Sequence, residues 1–225
     1  MSSPLFSAKS TANTLPQLYL LTNDDEFTLL YQKLEIALAT GVIGLLQIRR
    51  KQVLAQPEGR DQVYAEAQQL LELTRRYHVP MIMNDDIALA QRLGIGVHLG
   101  QGDGDITLAR QALGEQAIIG RTCHDAVDLV QAARQEGASY AAMGAVFVST
   151  TKPEAQPVSR QALVEGTAQD IDLCVIGGIS AENIRELRGL PLRYIAVVGD
   201  VLHHPVTEIA ARCEQWQQVL NNWYD

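Results

Sequence analysis

Eight short apolar runs, with stretches of helical periodicity between them, constrain this chain more than any other feature of its 225 residues. The runs fall at residues 18–22, 44–49, 81–83, 97–99, 117–120, 140–147, 174–177 and 194–198. Helical spacing of apolar side chains occupies residues 27–39, 60–77, 87–93, 125–136 and 207–222. Short strands alternating with helices read as βα units and a parallel sheet. With right-handed crossovers, eight such units in a chain of this length are expected to close into a (β/α)8 TIM barrel, not an open sheet. No Pro/Gly/Ser-rich linker divides the sequence. A single domain over residues 17–225 is therefore expected, behind a flexible N-terminal arm of residues 1–16. That arm is polar, rich in small residues and unlike a signal peptide.

The stretch MIMNDDIALAQRLGIGVHLGQGD, residues 81–103, contains the third and fourth runs. The third stops at Asn84-Asp85-Asp86 and the fourth at Gly100-Gln101-Gly102-Asp103. Successive parallel strands deliver their trailing residues to one edge of the sheet, the edge at which α/β folds bind ligands. Asp85 and Asp103 are thus placed to face one another, as a hard cation requires of oxygen ligands. The alternative is that Asp85 caps the following helix and Asp103 sits in a solvated turn.

Other polar clusters fall at other strand ends. Alternation along the second run turns Gln47, Arg49 and Lys51 to one side, two cations beside an amide, a set suited to a diphosphate. After the sixth run, Ser149-Thr150-Thr151-Lys152 offers hydroxyls and an ammonium, without the upstream glycines of a P-loop. Gly177-Gly178-Ile179-Ser180 ends the seventh run, and Gly199-Asp200 the eighth. Glycines there let a phosphate approach backbone N–H groups. Ser180 reads as an N-cap, with Asn183 in place of the glutamate of a capping box. His98 alternates with Val97 and Leu99, so it is expected inside the barrel as a hydrogen-bonded core histidine. His124 is expected to shape a helix entry and not to act as an acid/base group.

Composition excludes several classes. At 47% hydrophobic and 20% charged the chain can fill a core. A net charge of −8 argues against nucleic acid or an anionic membrane as a partner. No run is long enough to span a bilayer. Cys123, Cys174 and Cys213 form no CxxC pair, which argues against zinc and disulfides and suggests a reducing cytoplasm.

Six motifs in order, QIRRK (47–51), NDD (84–86), GVHLGQGD (96–103), GRTCH (120–124), STTK (149–152) and IGGIS (176–180), resemble the thiamine phosphate synthase family. The resemblance covers residues 18–201. It implies a (β/α)8 barrel that joins hydroxymethylpyrimidine diphosphate to thiazole phosphate and releases pyrophosphate. It also implies Mg2+ on Asp85 and Asp103. The pyrimidine diphosphate falls to Gln47, Ile48, Arg49, Arg50, Lys51, Asn84, Thr122 and Lys152. Of these, Arg49, Lys51, Thr122 and Lys152 are the expected catalytic group. The thiazole phosphate falls to Ser149, Thr150, Thr151, Gly178, Val198 and Gly199. Thr122 stands where a serine is common, Ser149 where a threonine is, and Gly199 where a serine is. Phosphate near Gly199 would then rely on backbone N–H groups. A homo-oligomer is compatible with this reading. A related thiazole tautomerase would use His124 but lacks the paired carboxylates, and a non-catalytic barrel binding thiazole phosphate is a further reading.

Overall fold

The computed structural model describes residues 14–148 and 157–225. Its strands are β1 (Gln17–Leu21), β2 (Ile43–Ile48), β3 (Met81–Asn84), β4 (Gly96–Leu99), β5 (Ile119–His124), β6 (Tyr140–Gly144), β7 (Asp172–Ile176) and β8 (Tyr194–Val197). They form one closed barrel in chain order, and β8 returns to pair in parallel with β1, Leu18 opposite Ile195. The expected barrel is the fold observed. Around it run α1 (Phe27–Ala39), α2 (Lys51–Leu54), α3 (Gly59–Arg76), α4 (Ile87–Leu93), α5 (Ile106–Leu113), α6 (Val127–Gln135), α7 (Arg160–Ala168), α8 (Gly199–Leu202) and α9 (Ile209–Asn221).

Strand alternation produces two apolar layers. Leu18 and Leu20 belong to the layer between sheet and helices, whereas Tyr19, Leu21, Leu45, Ile82, Tyr140 and Tyr194 pack inside the barrel. The three tyrosines meet edge to face, their ring centroids 5.3–5.9 Å apart. They need the room that glycine leaves: a Cβ on Gly120 would clash with the Tyr140 ring and lie 2.6 Å from His98 Nδ1.

Local signals set some of the helix ends. Glu26 caps α1 by accepting from the N–H groups of Thr28 and Leu29, and Leu30, Leu34, Ala37 and Leu38 form its buried stripe. Asp86, and not Asp85, caps α4, accepting from Leu89 N at 2.8 Å, and Gly94 ends that helix at φ 67°.

Several boundaries differ from the sequence reading. β5 extends to His124, past the expected end at Gly120, and β6 stops at Gly144 because the chain after it turns to pair with Ile176 and Gly177. The helix expected from Asp125 starts at Val127, without a side-chain cap. Ser180 and Asn183 do exchange capping bonds, Ser180 N donating to Asn183 Oδ1 at 2.8 Å and Asn183 N to Ser180 Oγ at 3.3 Å. They lead into a single 3-10 turn over Ile184–Leu187, not an α-helix. α5 and α7 are short, and their caps, Asp105 and Ser159, are the local cues to them.

Candidate active site at the barrel mouth

A cavity of about 170 Å³ opens at the C-terminal ends of the strands, lined by Gln47, Arg49, Lys51, Asn84, Asp85, His98, Asp103 and Thr122 among others. Gln47, Arg49, Lys51, Asn84 and Thr122 were expected on the pyrimidine diphosphate, Asp85 and Asp103 on a metal, and His98 in the core. A larger cavity, about 550 Å³, lies at the opposite end around Gln17, Gly44, Pro80 and Arg193. It lacks the convergence of cations and carboxylates found at the mouth, where barrel chemistry resides.

Gln47 reaches the cavity on β2, while Arg49 follows the strand's end with its N–H bonded to Thr22 Oγ1 at 2.8 Å. Lys51 does not continue the strand alternation. It opens α2, and that turn swings its ammonium to within 3.6 Å of Asp85 Oδ2. Asp85 holds a left-handed backbone, φ 62°, which aspartate adopts more readily than most residues. Its N–H donates to His98 O at 2.8 Å, and its Oδ1 accepts from Gly100 N at 3.1 Å. Gly100 leaves the space in which the carboxylates converge. An added Cβ would strike Asp103 Oδ2 and stand 3.8 Å from Asp85 Oδ1. No cluster of three or more metal-ligating His, Cys, Asp or Glu side chains occurs among the described residues.

Two members of the expected pyrimidine diphosphate set face elsewhere. Ile48 packs in the outer apolar layer, 1% exposed. Arg50 is buried, its guanidinium bonded to Glu66 (2.8 and 3.2 Å) and to the carbonyls of Asn23 (2.8 Å) and Asp25 (2.6 Å). Alternation accounts for both, because neighbours of inward-facing Gln47 and Arg49 must point outward. Arg50 therefore braces the loop after β1 and offers no charge to the cavity.

Gly178 sits at φ 68°, and a Cβ there would meet Phe147 O at 2.6 Å. Its carbonyl accepts from Asn183 Nδ2 at 2.8 Å. Gly199, after Val198, has no left-handed backbone; the His203 ring covers it, 2.7 Å from where a Cβ would stand. Arg212 of α9 ties the two glycine loops together through Glu182 (2.6 and 2.8 Å) and Asp200. Arg212 holds the Glu182 carboxyl down at about 2. Ser149, Thr150, Thr151 and Lys152 lie outside the described residues.

Sequence reasoning placed His98 and Thr122 but missed Tyr19, Tyr140 and Arg121 around them. His98 donates or accepts at both ring nitrogens, Nδ1 with Tyr140 Oη (2.8 Å) and Nε2 with Thr122 Oγ1 (2.9 Å). Burial lowers its pKa to about 4, as suits the core histidine expected here. His124 is exposed at φ 50° at the end of β5. Arg121 braces the turn carrying Asp103, donating to the carbonyls of Gly100 (2.9 Å) and Gly104 (2.8 Å). Its position beside Gly120 in the GRTCH motif was the only local cue. Tyr19 and Tyr140 gave none, since aromatic residues in strands are ordinarily core.

Such a mouth puts the protein among the (β/α)8-barrel enzymes that act on phosphorylated substrates. Comparison narrows the class. The chain belongs to the thiamine monophosphate synthase family, which matches residues 18–201. It is 36% identical to the thiamine-phosphate synthase of Methylobacillus flagellatus over 215 residues, covering 94% of this chain and all of that one. It is 38% identical to the thiamine-phosphate synthase of Marinobacter nauticus, covering 90% of each. A solved structure of thiamine phosphate pyrophosphorylase from Pyrococcus furiosus shares the fold with a TM-score of 0.78 at 24% identity, covering 93% of this chain and 97% of that one.

Proposed function

We propose that the chain is a thiamine-phosphate synthase in which Arg49, Lys51, Asp85 and Asp103 handle the diphosphate of the pyrimidine substrate. The activity is that of a transferase: the pyrimidinylmethyl group passes to the nitrogen of thiazole phosphate, and pyrophosphate leaves. The observation that carries this reading is the meeting of two cations with two carboxylates and the amides of Gln47 and Asn84 on one cavity.

Each role follows from chemistry. Arg49 and Lys51 stabilise charge that grows on the leaving oxygen, and a preorganised donor is worth most where charge develops. The electron-rich aminopyrimidine supports positive charge on its methylene, so no side-chain nucleophile is required. The Asp85–Asp103 pair around Gly100 fits Mg2+, which typically takes one or two protein carboxylates and fills its remaining positions with water and substrate phosphate. Asp85 and Asp103 would hold the cation, which would supply positive charge to offset the negative charge of the pyrophosphate leaving group. Lys152 adds a further cation to that oxygen set, and Thr122 faces the pyrimidine. Gly178, Val198, Gly199 and the hydroxyls of Ser149, Thr150 and Thr151 bind the thiazole phosphate, with backbone N–H groups as main donors. No helix among the described residues is long and apolar enough to cross a membrane. We assign the enzyme to the cytoplasm, a location supported by three free, buried cysteines.

The test is pyrophosphate release from the two purified substrates, with and without Mg2+. Release that needs both substrates and the cation is the expected result. Release that is equal with chelator present would remove the metal, and no release at all would remove the reading.

A further inference from the structure

A single line of hydrogen bonds crosses the barrel interior, and its direction is fixed by its last member. Asn84 Nδ2 donates to the Asp85 carboxylate at 2.5 Å. A carboxylate only accepts, so Asn84 must present its NH2 there and its carbonyl oxygen to the other side. That oxygen accepts from Gln47 Nε2 at 2.9 Å, which turns Gln47 Oε1 toward Tyr19. Tyr19 Oη donates to it at 2.8 Å and so spends its only proton. The Tyr19 oxygen must then accept from Tyr140 Oη, 2.9 Å away. Tyr140 in turn accepts from His98 Nδ1 at 2.8 Å. A neutral imidazole with hydrogen on Nδ1 has a bare Nε2, and Thr122 Oγ1 donates to it at 2.9 Å.

We infer that this one-way chain holds His98 as the Nδ1–H tautomer and leaves Thr122 with lone pairs, and no hydrogen, to offer the cavity. Thr122 therefore recognises an N–H group of the ligand and does not donate to a phosphate oxygen. Resting on the function proposed above, the matching ligand group is the amino side of the pyrimidine, not its diphosphate. Tyr19 and Tyr140 are positioning residues that act through His98. Low local dielectric favours such aligned chains, in which each bond polarises the next.

Two measurements test it. In protein labelled with 15N-histidine, two-bond 1H–15N correlations distinguish the tautomers, and loss of one signal set in His98→Gln assigns the ring. The native chain should show Nδ1–H. Tyr19→Phe does not remove a partner of His98, yet it frees the Tyr140 proton to turn toward Nδ1 and should switch the ring to Nε2–H. Thr122→Val should leave Nδ1–H in place, which guards against a Tyr19 variant that fails to fold. An Nε2–H ring in the native chain, or a folded Tyr19→Phe with an unchanged tautomer, overturns the inference. By calorimetry, Thr122→Val should bind inorganic pyrophosphate with Mg2+ within twofold of the native chain and aminopyrimidine diphosphate at least fivefold more weakly. A tenfold loss toward pyrophosphate would make Thr122 a donor and overturn the assignment. A native chain that binds no pyrimidine diphosphate defeats the functional reading instead, and the tautomer result stands apart from it.

Discussion

At the scale of single residues, charge and backbone freedom decide different things. Arg49 is the guanidinium of its motif that reaches the cavity, since Arg50 is spent on Glu66. Arg49→Ala should raise the barrier by about 2–4 kcal/mol, the range found on deleting one preorganised donor. The check is steady-state kinetics: a higher KM with unchanged kcat would mean that Arg49 only binds substrate. Gly199 poses a different question. Its backbone is not left-handed, so a side chain there meets the exposed His203 ring and no conformational penalty. Gly199→Ser should therefore fold normally and bind thiazole phosphate several-fold more tightly, because a charge-assisted hydrogen bond is worth about 1.5–3 kcal/mol at most. Gly199→Ala adds the carbon without the hydroxyl and should not. Equal affinities in titration calorimetry would show that the hydroxyl is immaterial there.

At the scale of elements, the site depends on buried ties between them. α3 supplies Glu66 to Arg50, whose side chains are 6% and 2% exposed, and Arg50 also holds the loop after β1. Removing one partner of such a pair strands a charge, so Arg50→Ala should cost about 3–5 kcal/mol. Replacing both, Arg50→Met with Glu66→Leu, should recover most of that stability in urea unfolding. A double variant as unstable as the single one would show that the loop carbonyls, not the ion pair, carry the cost. α9 does for the other side of the mouth what α3 does here. Arg212 reaches Glu182 and Asp200, and Trp216 Nε1 donates to Asp200 Oδ2 at 2.7 Å. The two glycine loops are thereby held at one spacing from outside the barrel.

At the scale of the whole molecule, closing the barrel puts polar groups where apolar ones would pack more simply, and that leaves a pH signature. Burial keeps the folded His98 pKa at about 4, below the unfolded value near 6.5. The unfolded chain then binds the extra proton first. Stability is complete above the unfolded value and falls as pH drops toward the folded one, by up to about 3 kcal/mol. His98→Gln should lack this limb, so its stability deficit against the native chain should shrink from pH 7 to pH 4.5. A deficit that stays constant over that range would mean that His98 does not titrate late.

The sequence by itself determined the barrel, since eight apolar runs in strand–helix alternation leave few ways to bury both faces of a parallel sheet. It also located the mouth residues Gln47, Arg49, Asn84, Asp85 and Asp103, because strand ends and alternation are local properties. Lys51 was expected to reach the mouth by strand alternation, but it lines the cavity because it opens α2, a helix too short to show a period. Only the tertiary structure decided that the outward-facing Arg50 meets Glu66 of α3, 16 residues away, and that Tyr19 and Tyr140, 121 residues apart, meet through their hydroxyls. Hydrogen bonds between distant strands leave no spacing in the sequence. They exist because closure brings side chains from opposite walls onto one axis, where each buried polar group must find its partner.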